Sequence, residues 1–179
     1  MIKNDLINRA KKIKAILFDV DGVLTDGGII YDNDFQEYKR FNVKDGQIIS
    51  HLRKGGFVVG AITGRESEVV KKRCEELKLD FHEHGVNNKF QKYENFKQKF
   101  NLDDKEISYI GDDIIDLSVL ARVGLSACPA DARYYIKDNV DFVLESKGGE
   151  GALRDLCDFI LNAQDKLDAI IKKAKRGGI

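Results

Sequence analysis

The chain has 179 residues, of which 42% are hydrophobic and 34% charged, enough for both a buried core and a solvated surface. This composition excludes a disordered chain, and no apolar run approaches the roughly 18 residues that a membrane-spanning helix needs. Thirty basic residues balance thirty acidic ones without any block of like charge, which argues against a nucleic-acid partner or a membrane-surface partner.

The cysteines and the N-terminal sequence predict a cytoplasmic protein. Cys74, Cys128 and Cys157 are odd in number and widely spaced, which favours free thiols in a reducing compartment over a disulfide framework. The opening sequence MIKNDLINRAKKIKAILFDV lacks the apolar stretch and small-residue cleavage site of a secretory signal. We therefore expect the protein to work in the cytoplasm.

Short apolar runs alternate with amphipathic stretches along the chain. Near-continuous apolar runs, typical of strands buried on both faces, predict strands at Ala15–Val20, Phe57–Ile62, Ile107–Ile110, Leu125–Cys128 and Phe142–Leu144. Apolar residues at three- and four-residue spacing predict helices near Gly46–Lys54 and at Ser67–Leu77, Lys89–Phe100 and about Gly151–Lys175. The alternation predicts an α/β domain spanning residues 1–179, with a doubly wound, Rossmann-like parallel sheet.

One segment, residues 26–46, interrupts this alternation. Its extended runs Ile29–Tyr31 and Glu37–Phe41 flank the turn sequence Asp32-Asn33-Asp34, which predicts a β-hairpin projecting from the sheet. Apolar residues exposed on such a hairpin favour pairing with copies of itself in a closed oligomer. A hairpin folded onto its own domain is the alternative. Residues 175–179 are expected to form a flexible tail.

Two acidic clusters follow predicted strands. Asp19 and Asp21 open a glycine turn after the first strand, and Asp112, Asp113 and Asp116 follow the strand that ends at Ile110. The carboxyl ends of parallel strands share one edge of a sheet, where ligands of open α/β sheets bind. Carboxylates placed so close repel one another unless a cation holds them, and oxygen ligands of this kind suit Mg²⁺. Each cluster alone is also compatible with a solvated turn or a helix cap.

A phosphate site is predicted beside the acidic clusters. Thr63, Gly64 and Arg65 lie between a strand and a helix, so a hydroxyl, backbone amides and a helix N-terminus can receive an anion. Thr63 is also compatible with a simple helix cap. Lys89 begins a later helix and on its own would be read as a solvated lysine.

The stretches DVDGVLTD, ITGR, Lys89 and GDDIID resemble, in this order, the four motifs of the haloacid dehalogenase superfamily. The resemblance covers essentially the whole chain. It implies that Asp19 is a nucleophile that becomes an aspartyl-phosphate and that Asp21 is the general acid and base. It also implies Mg²⁺ held by Asp19, the Asp21 carbonyl and Asp112. Asp113 and Asp116 would support the metal ion, and Thr63 and Lys89 would hold the phosphoryl oxygens.

Spacing between these motifs leaves no room for the cap domain that members of this superfamily usually carry. The chain resembles the capless, tetrameric branch of 3-deoxy-D-manno-octulosonate 8-phosphate phosphatases, through FNVKDG, TGR, KRCEEL and GGEGALRDLCDFIL. That branch releases phosphate from an acid sugar of lipopolysaccharide synthesis. The resemblance implies a cytoplasmic homotetramer whose substrate contacts are Asp21, Asn42, Val43, Lys44, Asp45, Gly46, Arg65, Arg73 and Lys89. Ser50 and Glu150 replace basic residues of some relatives, which leaves details of the sugar contacts open.

Two alternatives accompany this hypothesis. A phosphatase for nine-carbon 2-keto acid sugar 9-phosphates is similar but carries Glu near the position of Arg65. A catalytically idle oligomerisation module is the second, and the retention of all the motif residues argues against it. His82 and His84 alternate on one strand face, as metal ligands do, but the sequence offers no third ligand beside them.

Overall fold

The computed structural model describes residues 2–177 and the side chains from Asn4 onward. In chain order, the helices are α1 (Ile2–Ala10), α2 (Val43–Lys54), α3 (Glu68–Glu76), α4 (Lys89–Phe100), α5 (Leu117–Leu120), α6 (Tyr134–Lys137), α7 (Ala152–Ala163) and α8 (Leu167–Lys175). The strands are β1 (Ala15–Phe18), β2 (Ile30–Tyr31), β3 (Glu37–Tyr38), β4 (Val58–Ile62), β5 (Phe81–Glu83), β6 (Ile107–Ile110), β7 (Leu125–Cys128) and β8 (Phe142–Val143). None of the helices in the described range has the length and apolar character needed to cross a membrane.

Six strands form one parallel sheet in the order β5-β4-β1-β6-β7-β8. The central strand β1 pairs on one side with β4 and on the other with β6, so that Ala15 lies opposite both Val58 and Ile107. The chain first extends the sheet outward from β1 through β4 and β5, then returns to β1 and continues through β6. This reversal of strand order confirms the predicted doubly wound fold and places its switch point beside β1.

The sheet is buried on both faces, which explains why its strands read as continuous apolar runs. Ile16 and Phe18 of β1 point to the core shared with α1, α2, α3 and α7. Ala15 and Leu17 point to the opposite core, shared with α4, α5 and α6. The period of two along a strand thus divides one apolar run between two layers of helices.

Several predicted boundaries needed correction. The single helix expected from about Gly151 to Lys175 is wrong, because the chain breaks after Ala163 and restarts at Leu167. Asp165 adopts a left-handed conformation with φ 57°, and the Lys166 amide bonds back to the Leu161 carbonyl, which closes α7. The apolar periodicity continues from α7 into α8, so the pattern alone predicts one continuous helix and does not reveal the break.

The predicted hairpin segment 26–46 contains a β-hairpin with shorter strands than predicted, and its last residues, 43–46, belong to α2. Strands β2 and β3 pair antiparallel as a two-stranded sheet separate from the main one. Ile30 is 56% exposed and Phe35 at the turn is 83% exposed. The predicted flexible tail 175–179 overlaps the end of α8 at Lys175, and its residues 178 and 179 lie outside the described residues.

Candidate active site

The two acidic clusters meet at the carboxyl edge of the sheet, at the switch point. Asp19 follows β1 directly, and its amide bonds to the Ile110 carbonyl at the end of β6 across 3.0 Å. Asp112 and Asp116 follow β6. Asp19, Asp112 and Asp116 each present a carboxylate oxygen, and these three atoms lie within 4.8 Å of one another. The fold therefore brings together the carboxylates that the strand pattern predicted to meet.

The first acidic turn requires glycine at position 22. Gly22 has φ +86°, and a β-carbon there would lie 2.0 Å from Oδ2 of Asp112. The Gly148–Gly149 turn packs on the same loop, because the Gly149 amide donates to the Val23 carbonyl across 2.9 Å. The sequence GGEG therefore packs closely against the first acidic turn and supports it.

Lys89 lies beneath the acidic cluster and is fully buried. Its Nζ is 2.7 Å from Oδ1 of Asp116 and 3.0 Å from Oδ2 of Asp19. The Tyr109 hydroxyl donates to the same oxygen of Asp116 across 2.5 Å. Burial normally lowers the pKa of a lysine, but the two carboxylates outweigh it and raise the pKa of Lys89. The ammonium group is therefore held charged where the sequence alone suggested a solvated residue.

Asp116 organises the second acidic loop from within. Its Oδ2 accepts the backbone amides of Asp112, at 3.1 Å, and Asp113, at 3.2 Å. Asp113 itself is exposed, and its side chain caps the short turn Ile114–Asp116 by accepting the Ile114 amide. The two residues predicted to support a metal ion therefore have different positions. Asp116 is buried and holds both the acidic loop and Lys89 in place, whereas Asp113 is exposed at the edge of the site.

The site carries more negative charge than its protein neighbours balance. Burial, opposed by Lys89, raises the pKa of Asp19 to about 7. Burial and the charge of Asp19 raise the pKa of Asp112 to about 8. Among the described residues, no group hydrogen-bonds to buried Oδ1 of Asp112 or to buried Oδ2 of Asp21. Unpartnered carboxylate oxygens grouped in this way fit a hard divalent cation such as Mg²⁺.

A cavity of about 310 Å³ opens above these carboxylates. Six predicted site residues line this one cavity: Asp19, Asp21, Thr63, Arg65, Asp112 and Asp113. Thr63 is held by its backbone on both sides: its amide donates to the Glu83 carbonyl, and its carbonyl accepts the Val86 amide. The cavity therefore places the Thr63 hydroxyl and the Arg65 cation beside Asp19.

Arg65 lies in the loop before α3. The helix begins at Glu68 because Ser67 caps it, accepting the Val70 amide with its hydroxyl. Arg65 therefore does not share a helix face with Arg73. The Arg65 guanidinium instead extends from the preceding loop and donates to the Tyr31 hydroxyl and to Glu37 of the hairpin.

The hairpin also supplies a site residue that sequence reasoning missed. Lys39 has a fully buried side chain whose Nζ forms an ion pair with Oδ1 of Asp21 and lies 3.7 Å from Glu37. Glu37 in turn accepts hydrogen bonds from Arg65 and Ser67. The alternation Glu37-Tyr38-Lys39, with two charges on one strand face, was the available signal. The hairpin therefore folds over the acidic turn of its own chain.

The remaining predicted substrate contacts gather in a second cluster. Arg73 packs over the Phe41 ring at 5.6 Å and leaves no room for a β-carbon at Gly46. Asn42 caps α2 by accepting the Lys44 amide, and Val43 is 76% exposed. Among the described residues, those that line the cavity do not include Arg73 or any member of 42–46.

Asp45 is the most buried member of this second cluster. Its side chain accepts the Arg154 amide at the start of α7 across 2.8 Å and is screened from solvent. Burial raises its pKa to about 6. This position gives Asp45 a structural role, joining α2 to α7, and its predicted sugar contact stays a prediction.

Comparison with known proteins agrees with this geometry. Residues 83–156 match the family of haloacid dehalogenase-like hydrolases. The 3-deoxy-D-manno-octulosonate 8-phosphate phosphatase of Escherichia coli strain K12 is 38% identical over 167 residues, covering 93% of this chain and 89% of the relative. The crystal structure of the Yersinia pestis phosphatase of the same name has a TM-score of 0.90 and 39% identity, covering 92% and 89% of the two chains.

A further crystal structure contains ligands. The 3-deoxy-D-manno-octulosonate 8-phosphate phosphatase of Moraxella catarrhalis, in complex with a magnesium ion, a phosphate ion and KDO, has a TM-score of 0.92 and 34% identity. The alignment covers 95% of this chain and 98% of that one. This chain therefore belongs to the haloacid dehalogenase-like hydrolases, in the family of the 3-deoxy-D-manno-octulosonate 8-phosphate phosphatases.

Proposed function

We propose that this protein hydrolyses 3-deoxy-D-manno-octulosonate 8-phosphate to the free acid sugar and inorganic phosphate, a step that supplies lipopolysaccharide precursors. The observation that carries the proposal is the buried Lys89, whose Nζ lies between Asp19 and Asp116 at 3.0 and 2.7 Å. A solvated or idle surface does not need a lysine held charged beneath a nucleophile. The identity of 38% to relatives of that activity over most of the chain supports the substrate.

Asp19 and Asp21 carry the two halves of the reaction. An Asp19 carboxylate oxygen attacks phosphorus, the bond from phosphorus to the sugar oxygen breaks, and protonated Asp21 gives its proton to the leaving alkoxide. Asp21 then takes a proton from water, which attacks phosphorus and releases phosphate and free Asp19. The Val20 amide, which donates to Oδ1 of Asp19 across 2.7 Å, and Lys89 on Oδ2 fix the orientation of the nucleophile. Proton transfer by Asp21 contributes about 10²–10⁴ in rate.

The residues around the cavity fit Mg²⁺ as the cofactor. Asp19, Asp112 and the backbone carbonyl of Asp21 would hold the ion, with Asp116 fixing the Asp112 loop and Asp113 at the rim. When bound, Mg²⁺ supplies positive charge that lets a phosphate dianion approach a carboxylate. The buried Oδ1 of Asp112, which accepts no hydrogen bond from the described residues, supports this assignment.

Binding of the substrate is assigned to both sides of the cavity. Thr63 and Lys89 hold the phosphoryl oxygens, because a fixed hydroxyl and a buried ammonium stabilise charge that develops on phosphorus. Arg65, on a half-exposed loop beside Asp21, is positioned to pair with the sugar carboxylate once the substrate displaces its contact with Glu37. Arg73 and residues 42–46 do not line the cavity, so the structure offers no support for direct contact between them and the substrate.

Arg65 also separates the proposal from its alternatives. A nine-carbon 2-keto acid sugar 9-phosphate is the second candidate substrate, and the branch that uses it carries Glu where this chain has Arg65. A catalytically idle oligomerisation module would have no use for a buried Lys89 or for unpartnered carboxylates, so the site geometry favours an enzyme. The eight-carbon substrate is therefore the better assignment.

A homotetramer in the cytoplasm completes the proposal. Ile29, Ile30, Tyr31, Phe35 and Tyr38 expose large apolar side chains on one short hairpin, which suits burial between subunits. In this arrangement the hairpins would pair across subunits while Glu37 and Lys39 keep their contacts within the chain. Three buried, free thiols support a reducing compartment.

The experiment is a phosphate-release assay on a panel of sugar phosphates, run with Mg²⁺ and with excess chelator. The proposal predicts the highest kcat/KM on 3-deoxy-D-manno-octulosonate 8-phosphate and no release in chelator. A preference for the nine-carbon 9-phosphate would favour the second candidate. If no phosphate ester releases phosphate in the presence of Mg²⁺, the result would favour the catalytically idle oligomerisation module.

A further inference from the structure

A second group of metal-ligand side chains lies away from the catalytic cavity, between α3 and the edge strand β5. His82 lies on β5 and His84 follows it, and both side chains point to the face that α3 covers. The structure adds Cys74, in the last turn of α3, as the neighbour that the sequence could not reveal. The sulfur and one nitrogen of each ring lie within 4.8 Å of one another.

The two histidines already converge without an ion. Nδ1 of His82 and Nε2 of His84 are 2.9 Å apart, and the ring centroids are 5.2 Å apart in an edge-to-face arrangement. The other nitrogen of His84, Nδ1, is buried, and no group in residues 4–177 hydrogen-bonds to it. A buried polar nitrogen without a hydrogen-bond partner destabilises the folded protein. The histidine pair therefore has an unused polar atom in this structure.

The donor set defines the class of ion. One thiolate and two imidazoles suit Zn²⁺ and its spectroscopic substitute Co²⁺, whereas Mg²⁺ prefers oxygen. Metal bonds of about 2.0–2.3 Å place the ligand atoms of a tetrahedral site about 3–4 Å apart, which small side-chain rotations reach from the observed geometry. The Glu66 carboxylate lies beside Gly85, next to His84, and adds negative charge near the site.

We propose that Cys74, His82 and His84 form a transition-metal site of the Zn²⁺ class that ties α3 to β5. Binding gives His82 and His84 one metal–nitrogen bond each, and the Cys74 thiol gives up its proton to solvent as its sulfur binds. A water molecule would take the fourth position, because three protein ligands leave a tetrahedral ion one site short.

The location gives the site a structural consequence for the catalytic loop. Glu83 lies between the two histidines, and its carbonyl accepts the Thr63 amide across 3.0 Å. The Arg65 carbonyl accepts the Gly85 amide, one residue after His84. An ion on His82 and His84 therefore stiffens the strand that holds the phosphate-binding loop. This proposal is independent of the substrate assigned to the cavity.

Cobalt spectroscopy in excess Mg²⁺ tests the site directly, because the catalytic carboxylates have no sulfur. The proposal predicts a thiolate-to-cobalt charge-transfer band at one Co²⁺ per chain, and a zinc-dependent rise in Tm. Cys74→Ala should abolish the band, and His84→Ala should weaken Zn²⁺ binding by at least about tenfold. The matched control Cys157→Ala, which removes a buried free thiol of α7 outside this group of ligands, should keep the band.

Two outcomes would overturn the proposal. One is the absence of the band in the wild-type protein at saturating Co²⁺. The other is a band that survives Cys74→Ala or disappears only in Cys157→Ala. If Cys74→Ala does not fold, the half-buried His82 and His84 provide single and double alanine variants for the same zinc titration. Unchanged zinc affinity in the double variant would also contradict the site.

Discussion

Lys89 donates from Nζ to Oδ1 of Asp116 across 2.7 Å, and both side chains are fully buried. Because Oδ2 of Asp116 accepts two amides of the acidic loop, this one pair connects the ammonium beside Asp19 to the loop that carries Asp112. A fully buried charge pair adds little to the stability of the folded protein, because desolvation of the two charges offsets their attraction. Removal of one partner strongly destabilises the protein, since the other charge is left buried and uncompensated.

Replacement of Lys89 therefore affects both stability and activity. Lys89→Met leaves Asp19 and Asp116 buried without their cation, and we expect the free energy of unfolding to fall by about 3–5 kcal/mol. Turnover should be lost on the acid sugar phosphate and on p-nitrophenyl phosphate alike. Urea unfolding and both assays check this. The double variant Lys89→Met/Asp116→Asn should regain part of the stability and none of the activity; failure to regain any stability would argue against the pair.

Arg65 is expected to discriminate between substrates. Arg65→Ala should lower kcat/KM on 3-deoxy-D-manno-octulosonate 8-phosphate about tenfold to a hundredfold, because a charge-assisted hydrogen bond contributes roughly 1.5–3 kcal/mol. It should change the rate on p-nitrophenyl phosphate little, since that ester has no carboxylate. Arg73→Ala, outside the cavity, is the matched control. Equal losses on both substrates for Arg65→Ala would show that it serves the phosphate or the fold.

Asp45 gives the folded protein a defined pH dependence. Burial raises its pKa from 3.8 to about 6, so between those values the folded state binds more protons than the unfolded chain. The contribution of this group to stability is therefore greatest below about pH 4 and is lost as the pH rises through 6. Asp45→Asn keeps an oxygen for the Arg154 amide and should stabilise the protein by up to about 3 kcal/mol at pH 7.

Chemical unfolding of Asp45→Asn at several pH values measures this effect. The gain over the wild-type protein should shrink as the pH falls and approach zero below about pH 3, where Asp45 is protonated in both states. Asp168→Asn, at an exposed position on α8, should give no comparable trend. A variant less stable than wild type at pH 7 would mean that the Asp45 charge is stabilising.

Assembly through the hairpin is tested by light scattering. We expect the wild-type protein to have the mass of a tetramer. Ile30→Lys places a charge on a 56%-exposed apolar position and should give smaller species with weaker activity. Lys3→Glu, in α1 and far from the hairpin in sequence, serves as a charge-change control. A monomeric wild-type protein with full activity would contradict the tetramer.

The sequence predicts the architecture well where one physical signal dominates. Continuous apolar runs located the five strands β1, β4, β6, β7 and β8, because a strand covered on both faces needs them. The two acidic turns predicted the position of the site, because the carboxyl ends of parallel strands share one edge of the sheet. Helix α4 was predicted with its observed bounds.

Features that depend on tertiary contacts were missed. The break between α7 and α8 rests on the left-handed backbone of Asp165, which apolar periodicity does not register. The pairing of Lys39 with Asp21 and of Cys74 with two histidines joins residues from separate elements. Distances of that kind become visible only once the chain is folded.

The most direct measurement is phosphate release from 3-deoxy-D-manno-octulosonate 8-phosphate by the wild-type protein and by Asp19→Asn, both in Mg²⁺. The variant is isosteric and relieves the crowding of carboxylates, so a thermal melt should show it folded. We expect rapid release by the wild-type protein and none above background by the variant. Substantial turnover by folded Asp19→Asn, or none by the wild-type protein on this substrate, would contradict the account.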